Sequence, residues 1–250
     1  MKVSLITGTY NSAEFINDCV TSINNQDYLD IEHVIIDGAS KDETVDIIKN
    51  TPNRVTKLIS EPDEGIYDAM NKGIKNTSGD IVGILNSDDF YDSNDVISKV
   101  VDTFKRENVD CVFGNLYYVL QQDTSVIKRK WVTGGYNAKK GFKNGWHPAH
   151  PSFFVKKELY DNFGLFDTSF KIAADFELML RFIEKHKAKT AYINEPFVRM
   201  RLGGESNRSL SNIVQGNKEC IRAFKKNGIP VSKLYPLIRL APKLKQFINH

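Results

Sequence analysis

The stretch GDIVGILNSDDFY, Gly79 to Tyr91, decides how this chain is read. An apolar run of Ile81, Val82, Ile84 and Leu85 ends abruptly in Asn86, Ser87, Asp88 and Asp89. Two adjacent carboxylates at the end of a strand repel one another and favour turn or cation chemistry over sheet packing. Upstream, the same pattern recurs: VSLIT runs into Thr9, Tyr10 and Asn11, HVIID into Asp37 to Ser40, and VTKLIS into Glu61 to Gly65. Helix-like segments separate these runs, at Ser12 to Asn25, Lys41 to Asn50, Ile66 to Asn76 and Asp95 to Asn108. Such alternation predicts a parallel sheet covered by helices on both faces. In that class ligands sit beyond the carboxyl ends of the strands, so all four polar clusters are expected to face one crevice.

Composition narrows the class. With 250 residues, 41% hydrophobic and 26% charged, the chain can bury a substantial core as one large or two small soluble domains. A net charge of +3 is too mild to point to nucleic acid. Cys19, Cys111 and Cys220 form no C-x-x-C pair, which argues against a zinc site or disulfide framework and fits a reducing cytoplasm. The N-terminal MKVSLITGTYNS does not read as a signal peptide, and no apolar run approaches the roughly 18 residues of a spanning helix.

The second half changes character. VDCVFGNLYYVL and SVIKRKWV read as a hairpin, followed by a loop from Gly134 to Pro151 rich in Gly, Lys and His. A helix is expected over Ala173 to His186, where Phe176, Met179, Leu180 and Ile183 form an apolar stripe. KTAYINEPFVRMRL then reads as a strand, GGESN as a loop and Leu210 to Asn227 as a helix. The tail VSKLYPLIRLAPKLKQFINH carries Lys233, Arg239, Lys243 and Lys245 without an acid, a pattern suited to an anionic membrane surface or to a terminal helix packed on its own domain.

Individual residues admit two readings each. Asp88 and Asp89 fit either a turn or a hard divalent cation that also holds a diphosphate. Asp37 ends a buried strand, where it can form an Asx turn or accept hydrogen bonds from a base or ribose, while Ser40 and Glu43 match the S-x-x-E capping box of the next helix. Asp63 precedes a helix whose amides face the same side, and its charge also suits the helix dipole without any ligand.

In this order and spacing, SLITGTYNSAEFINDCVTSINNQDY, EHVIIDGASKDET, EPDEGIYDAMNKGI and GDIVGILNSDDFY resemble the family 2 glycosyltransferases. The similarity spans Lys2 to Ser206. It implies the GT-A fold, a Rossmann-like, mostly parallel central sheet flanked by helices, with a smaller acceptor-side region and a helical C-terminal tail. The expected divisions are 1–120 for the nucleotide-sugar half, 121–206 for the acceptor half and 207–250 for the basic tail. The resemblance further implies inverting hexosyl or N-acetylhexosaminyl transfer from a nucleotide-sugar, UDP-sugars favoured, to a glycan or lipid-linked acceptor in envelope polysaccharide synthesis. A divalent metal, Mn2+ or Mg2+, goes with it, and so does a place in the cytoplasm, peripheral on the inner face of the membrane.

By residue, it places Thr9, Tyr10, Asn11, Asp37, Asp63, Ser87 and Asp88 at the nucleotide. Asn86 takes the place of the first acid of the D-x-D region, so metal binding rests on Asp88 with Asp89. KIAADFELMLRF matches the segment of the catalytic base, which makes Asp175 the base; the residue before it is Ala174 where many relatives carry Glu. Read without the resemblance, Asp175 is equally a helix cap. His150, in preference to His147, and Arg201 and Ser206, with Arg199 and the GGES loop, are expected near the diphosphate or acceptor. Two alternatives stand beside this reading. A sugar nucleotidyltransferase expects a Gly-rich first loop ending in Arg or Lys, which TGTYNSAEF lacks, and a non-catalytic carbohydrate-binding protein leaves Asp88 and Asp175 without a purpose. A dinucleotide dehydrogenase is excluded by the missing G-x-G-x-x-G after the first strand.

Overall fold

The computed structural model describes residues 1–139, 141–203 and 210–239. Strands β1 (Val3–Thr9) and β2 (Ile31–Asp37) are buried at every position, as strands covered on both faces must be. They pair in parallel with each other, β2 with β3 (Val55–Ser60) and β1 with β4 (Ile81–Ile84). β3 is half exposed because it forms one edge. The chain steps outward from β1 to β3 and then returns to the other side of β1 as β4. That reversal opens a crevice at the carboxyl ends of β1 and β4, where Tyr10 and Asp88 lie.

The helices that cover this half follow from their apolar spacing. Helix α1 (Ile16–Asn24) buries Ile16, Cys19, Val20 and Ile23, and α2 (Thr44–Asn50) follows β2. α3 (Ile66–Lys75) packs close to β1 because Gly73 lies directly against the Ile6 side chain. Beyond the two-residue strand β5 (Phe90–Tyr91), α4 (Val96–Glu107) buries Val96, Ile97, Val100, Val101 and Phe104, and Asn108 closes it in the left-handed conformation.

The expected hairpin forms as β6 (Cys111–Val119) and β7 (Ile127–Trp131), antiparallel. β8 (Phe153–Lys156) inserts antiparallel between β4 and β6, and β9 (Thr190–Arg201) joins β6 in parallel, giving the order β3-β2-β1-β4-β8-β6-β9-β5. Two cores sandwich this sheet. Leu5, Val112 and the α1 and α4 side chains fill one, while Ile6, Phe113 and the helices of the second half fill the other. The fold is thus the mixed α/β architecture anticipated from the strand alternation.

Two details differ from expectation. α5 (Lys157–Phe163) is an additional short helix, and the helix expected over Ala173 to His186 is α6 (Ala174–Leu180) followed by a π turn, Arg181–Lys185. There the Arg181 guanidinium binds Glu177 and donates to the carbonyls of Phe163, Gly164 and Leu165, tying the preceding loop to the helix. The helix expected over Leu210 to Asn227 forms as α7 (Leu210–Lys226), which buries Cys220, Ala223 and Phe224 in the second core, and α8 (Tyr235–Ile238) drives Tyr235 into it, so the described C-terminal segment packs on the body.

Candidate active site

The strand ends are tied together by short polar side chains. Asn11 adopts φ 48°, which Asn tolerates. Its N–H donates to Ser40 Oγ at 2.8 Å and its Oδ1 accepts from the Lys41 N–H at 2.9 Å. Ser12 and Ser87 share a hydrogen bond of 2.9 Å, joining the end of β1 to the aspartate loop. Thr9 is buried, and its Oγ1 has no hydrogen-bond partner.

Asp37 behaves differently from the expectation of a base ligand. It has no exposed surface, and its carboxylate accepts from the Ser40 N–H at 3.0 Å, the Ser40 hydroxyl and the Ser60 hydroxyl at 2.6 Å. Those bonds occupy it as the brace between β2 and β3. The capping box also fails to form: Ser40 is spent on Asp37, and the Asp42 carboxylate instead accepts from the Thr44 N–H at 3.1 Å and hydroxyl at 2.5 Å. The carboxylate that does reach the crevice is Asp63, whose Oδ1 accepts from the Gly65 N–H at 2.9 Å. Gly38 lies beneath it, where a Cβ would stand 2.6 Å from Asp63 Oδ2 and 3.4 Å from the Tyr10 ring. Tyr10 is 59% exposed, so an open aromatic face and a carboxylate flank a floor kept clear by glycine.

The aspartate loop separates its two acids. Asp89 is fully enclosed, accepts from Asn86 Nδ2 at 3.0 Å, and keeps a buried Oδ1 without a partner. Asp88 retains surface on the crevice side. Burial raises the pKa of Asp88 and pushes that of Asp89 well up, with the charge of Asp88 adding to the effect on Asp89. Arg201 counters both but does not reach forward to a ligand. It is 3% exposed and donates to the Asp88 carbonyl at 2.6 Å and to Asp18, with Phe15 and Phe90 stacked at 4.8 and 5.1 Å. The expected phosphate contact is therefore replaced by a clamp that shapes the loop from behind. Arg199 is likewise committed, to Asp92 at 2.6 Å and the Thr124 carbonyl at 3.2 Å. Ser206 lies outside the described residues.

Across the crevice stands Asp175, at the second position of α6 and not at its cap, which is Ala173. The Tyr67 hydroxyl, from α3, lies 3.4 Å from Asp175 Oδ1 and donates to the Ile172 carbonyl at 2.8 Å. Burial raises the Tyr67 phenol well above its usual range, and Asp175 raises it further. His150 packs edge-on against Phe166 at 5.9 Å; burial lowers its pKa while the nearby Asp175 opposes the change. His147 is wedged between Trp131 and Phe176 at 5.0 and 5.5 Å and reads as part of the wall. The buried Tyr118 phenol is raised first by its burial, pulled back by Arg129, and raised by both Asp89 and Asp175. Tyr67 and Gly38 were not singled out from sequence; each sits inside a segment whose pattern is explained by helix or turn alone.

Among the described residues no three His, Cys, Asp or Glu side chains converge to hold a metal unaided. A hard divalent ion typically takes one or two carboxylates and completes its shell with phosphate and water oxygens. Asp88 at the surface, backed by the unpartnered Asp89 oxygen, fits that requirement.

A sequence model of the family described as Glycosyl transferase family 2 matches residues 4–166. An uncharacterized glycosyltransferase of Mycobacterium tuberculosis is 32% identical over 182 residues, covering 72% of this chain and 68% of that protein. A PGL/p-HBAD biosynthesis glycosyltransferase of Mycobacterium bovis is 29% identical over 195 residues, covering 76% and 73%. Among solved structures, S. aureus TarS aligns with a TM-score of 0.66 at 17% identity over 99% of this chain, which spans 54% of that longer chain. The mannosyltransferase PcManGT from Pyrobaculum calidifontis, in complex with GDP-Man and Mn2+, aligns at 0.65 and 20% identity over 100% of this chain and 76% of that one. At these identities the structural likenesses establish the fold.

Proposed function

The chain belongs to glycosyl transferase family 2, and on that premise we propose that it moves a sugar, with inversion, from a nucleotide-sugar to a hydroxyl of a glycan or lipid-linked acceptor. The observation that carries this reading is the convergence of Tyr10, Gly38 and Asp63 beyond the ends of β1, β2 and β3, tied to the aspartate loop by the Ser12–Ser87 hydrogen bond of 2.9 Å. A nucleobase stacks on Tyr10 over Gly38 and donates a ring N–H to Asp63, a carboxylate acceptor that suits uracil or guanine. UDP-sugars are preferred because Asp63 Oδ1 is taken by the Gly65 N–H, which leaves Oδ2 for one donor, the N3–H of uracil, whereas guanine presents N1–H and its 2-amino group side by side.

Asp88 would hold a divalent ion, Mn2+ or Mg2+, which would supply the positive charge that a departing diphosphate needs. Asp175 accepts the proton of the acceptor hydroxyl as its oxygen bonds to the anomeric carbon and the bond to the diphosphate breaks. Tyr67, whose hydroxyl proton goes to the Ile172 carbonyl, anchors the turn that leads to that carboxylate, and His150 borders the acceptor side. The enzyme works in the cytoplasm at the inner face of the membrane, in envelope polysaccharide synthesis. Support for that location comes from Leu234 and Leu237, 62% and 65% exposed beside the exposed Lys233. The last part of the basic tail, 240–250, lies outside the described residues.

The test is Asp175→Asn. Turnover of the donor should fall by at least roughly a hundredfold while nucleotide affinity holds, because a base is lost and the fold is not. Wild-type turnover in that variant sinks the assignment.

A further inference from the structure

The matched family region ends at Phe166, before both Asp175 and the helix packed behind it. On that helix, α7, Glu219 is 2% exposed. A carboxylate so placed is costly unless its oxygens are satisfied. Its Oε2 accepts from the Ile172 and Ala173 N–H groups, both at 2.9 Å, and its Oε1 from the Lys171 N–H at 3.1 Å and Gln215 Nε2 at 2.9 Å. Burial would raise its carboxyl, but these bonds hold it below the usual range.

The three N–H groups belong to the turn that enters α6. That helix has no side-chain cap of its own, its N-cap being Ala173. Successive N–H groups at a helix start form a natural cradle for an anion, and α7 supplies one. From the opposite side, the Tyr67 hydroxyl grips the carbonyl of the middle residue, Ile172. The turn is thus held on both sides, and Asp175 follows it by two residues.

We propose that Glu219 is a positioning residue that sets where Asp175 stands toward the acceptor hydroxyl, making the C-terminal helix part of the catalytic apparatus. This rests on the reading of Asp175 as the base. A Gln at this position keeps the shape but turns an amide NH2 toward the backbone donors, loosening the turn.

The experiment compares Glu219→Gln with Asn227→Ala in the full chain. Asn227, just past the end of α7, makes a separate tie to α6, donating to Glu177 Oε1 at 2.9 Å and touching none of the three N–H groups that Glu219 holds. UDP release from a panel of UDP-sugars with Mn2+ is measured well below each unfolding temperature, with UDP affinity by calorimetry. E219Q should lower kcat by about tenfold or more with UDP affinity within about twofold, while N227A lowers the unfolding temperature with kcat kept. In an Asp175→Asn background, where there is no base to position, E219Q should cost about nothing further. Wild-type kcat in E219Q beside a crippled D175N overturns the proposal alone, as does an equal loss in the D175N background. Wild-type turnover in D175N overturns the base reading and this proposal with it. Should E219Q not fold, Glu219→Asp, which keeps the charge but withdraws the oxygens by one methylene, serves the same comparison.

Discussion

Replacing Gly38 by alanine separates binding from stability more sharply than any other change in the crevice. The added Cβ would stand 2.6 Å from Asp63 Oδ2 and 3.3 Å from its carboxyl carbon. Ordinary contact requires the carboxylate to retreat by roughly 0.5–1 Å. Asp63 is the end of a flexible, half-buried side chain, so a retreat that lengthens its bond from the Gly65 N–H without breaking it costs about 1 kcal/mol, part of the roughly 1.5–3 kcal/mol of a full bond to a charged group. Removing glycine also stiffens the unfolded chain, by about 0.4–1 kcal/mol in the opposite direction. The two nearly cancel, and the unfolding temperature should barely move.

Binding has no such compensation. A hydrogen bond to a charged group contributes about 1.5–3 kcal/mol, so pulling Asp63 out of reach should weaken UDP by roughly 10- to 150-fold. Calorimetry with Mn2+ reads that change directly. Asp63→Ala should weaken UDP similarly, and the Gly38→Ala, Asp63→Ala double variant should be no worse than Asp63→Ala alone. Wild-type affinity in Gly38→Ala would refute the placement of the base over this floor.

Two other outcomes follow from features outside the crevice. Glu32, bonded by Lys2, Ser4 and Ser78 in spite of its burial, has its pKa lowered to about 2, and burial lowers that of His33 to about 3. Both folded values lie below the unfolded ones, so each group's contribution is complete above its unfolded pKa and is lost as the pH falls: from about 6.5 for His33, from about 4.5 for Glu32. Thermal unfolding against pH should decline in those two stages, and Glu32→Gln should flatten the lower one; an unchanged acid limb removes Glu32 from the account. At the membrane, Leu234→Ser with Leu237→Ser should reduce co-sedimentation with vesicles containing anionic lipid, and equal recovery of both proteins would free that surface of the role.

The crevice was legible in the sequence because strand ends are marked by a local change, apolar to polar within one or two residues, and parallel strands put all such ends on one side. Thr9, Tyr10, Asp63 and Asp88 stand out in this way as residues that follow an apolar strand run. What the sequence hid is the partner across a gap. Asp37 ends β2 much as Asp88 lies in the loop after β4, yet Ser60 on the neighbouring strand and Ser40 in its own loop consume its oxygens. Arg201 looks like a free cation until the fold buries it behind the aspartate loop. Ser40 fits a capping box by spacing, but its hydroxyl goes to Asp37, and the Asp42 carboxylate takes the Thr44 N–H instead. Glu219 gave no signal, since an acid on a helix reads as a solvated face until three distant N–H groups converge on it.

Nucleotide binding with and without metal tests the central claim most directly. UDP, GDP, dTDP and CMP are titrated into the wild-type protein and Asp88→Asn, each with Mn2+ and with chelator. The account predicts stabilisation by UDP that needs the metal in the wild type and loses that dependence in Asp88→Asn. Binding of UDP that is indifferent to metal in both proteins, or no response to any nucleotide, would contradict it.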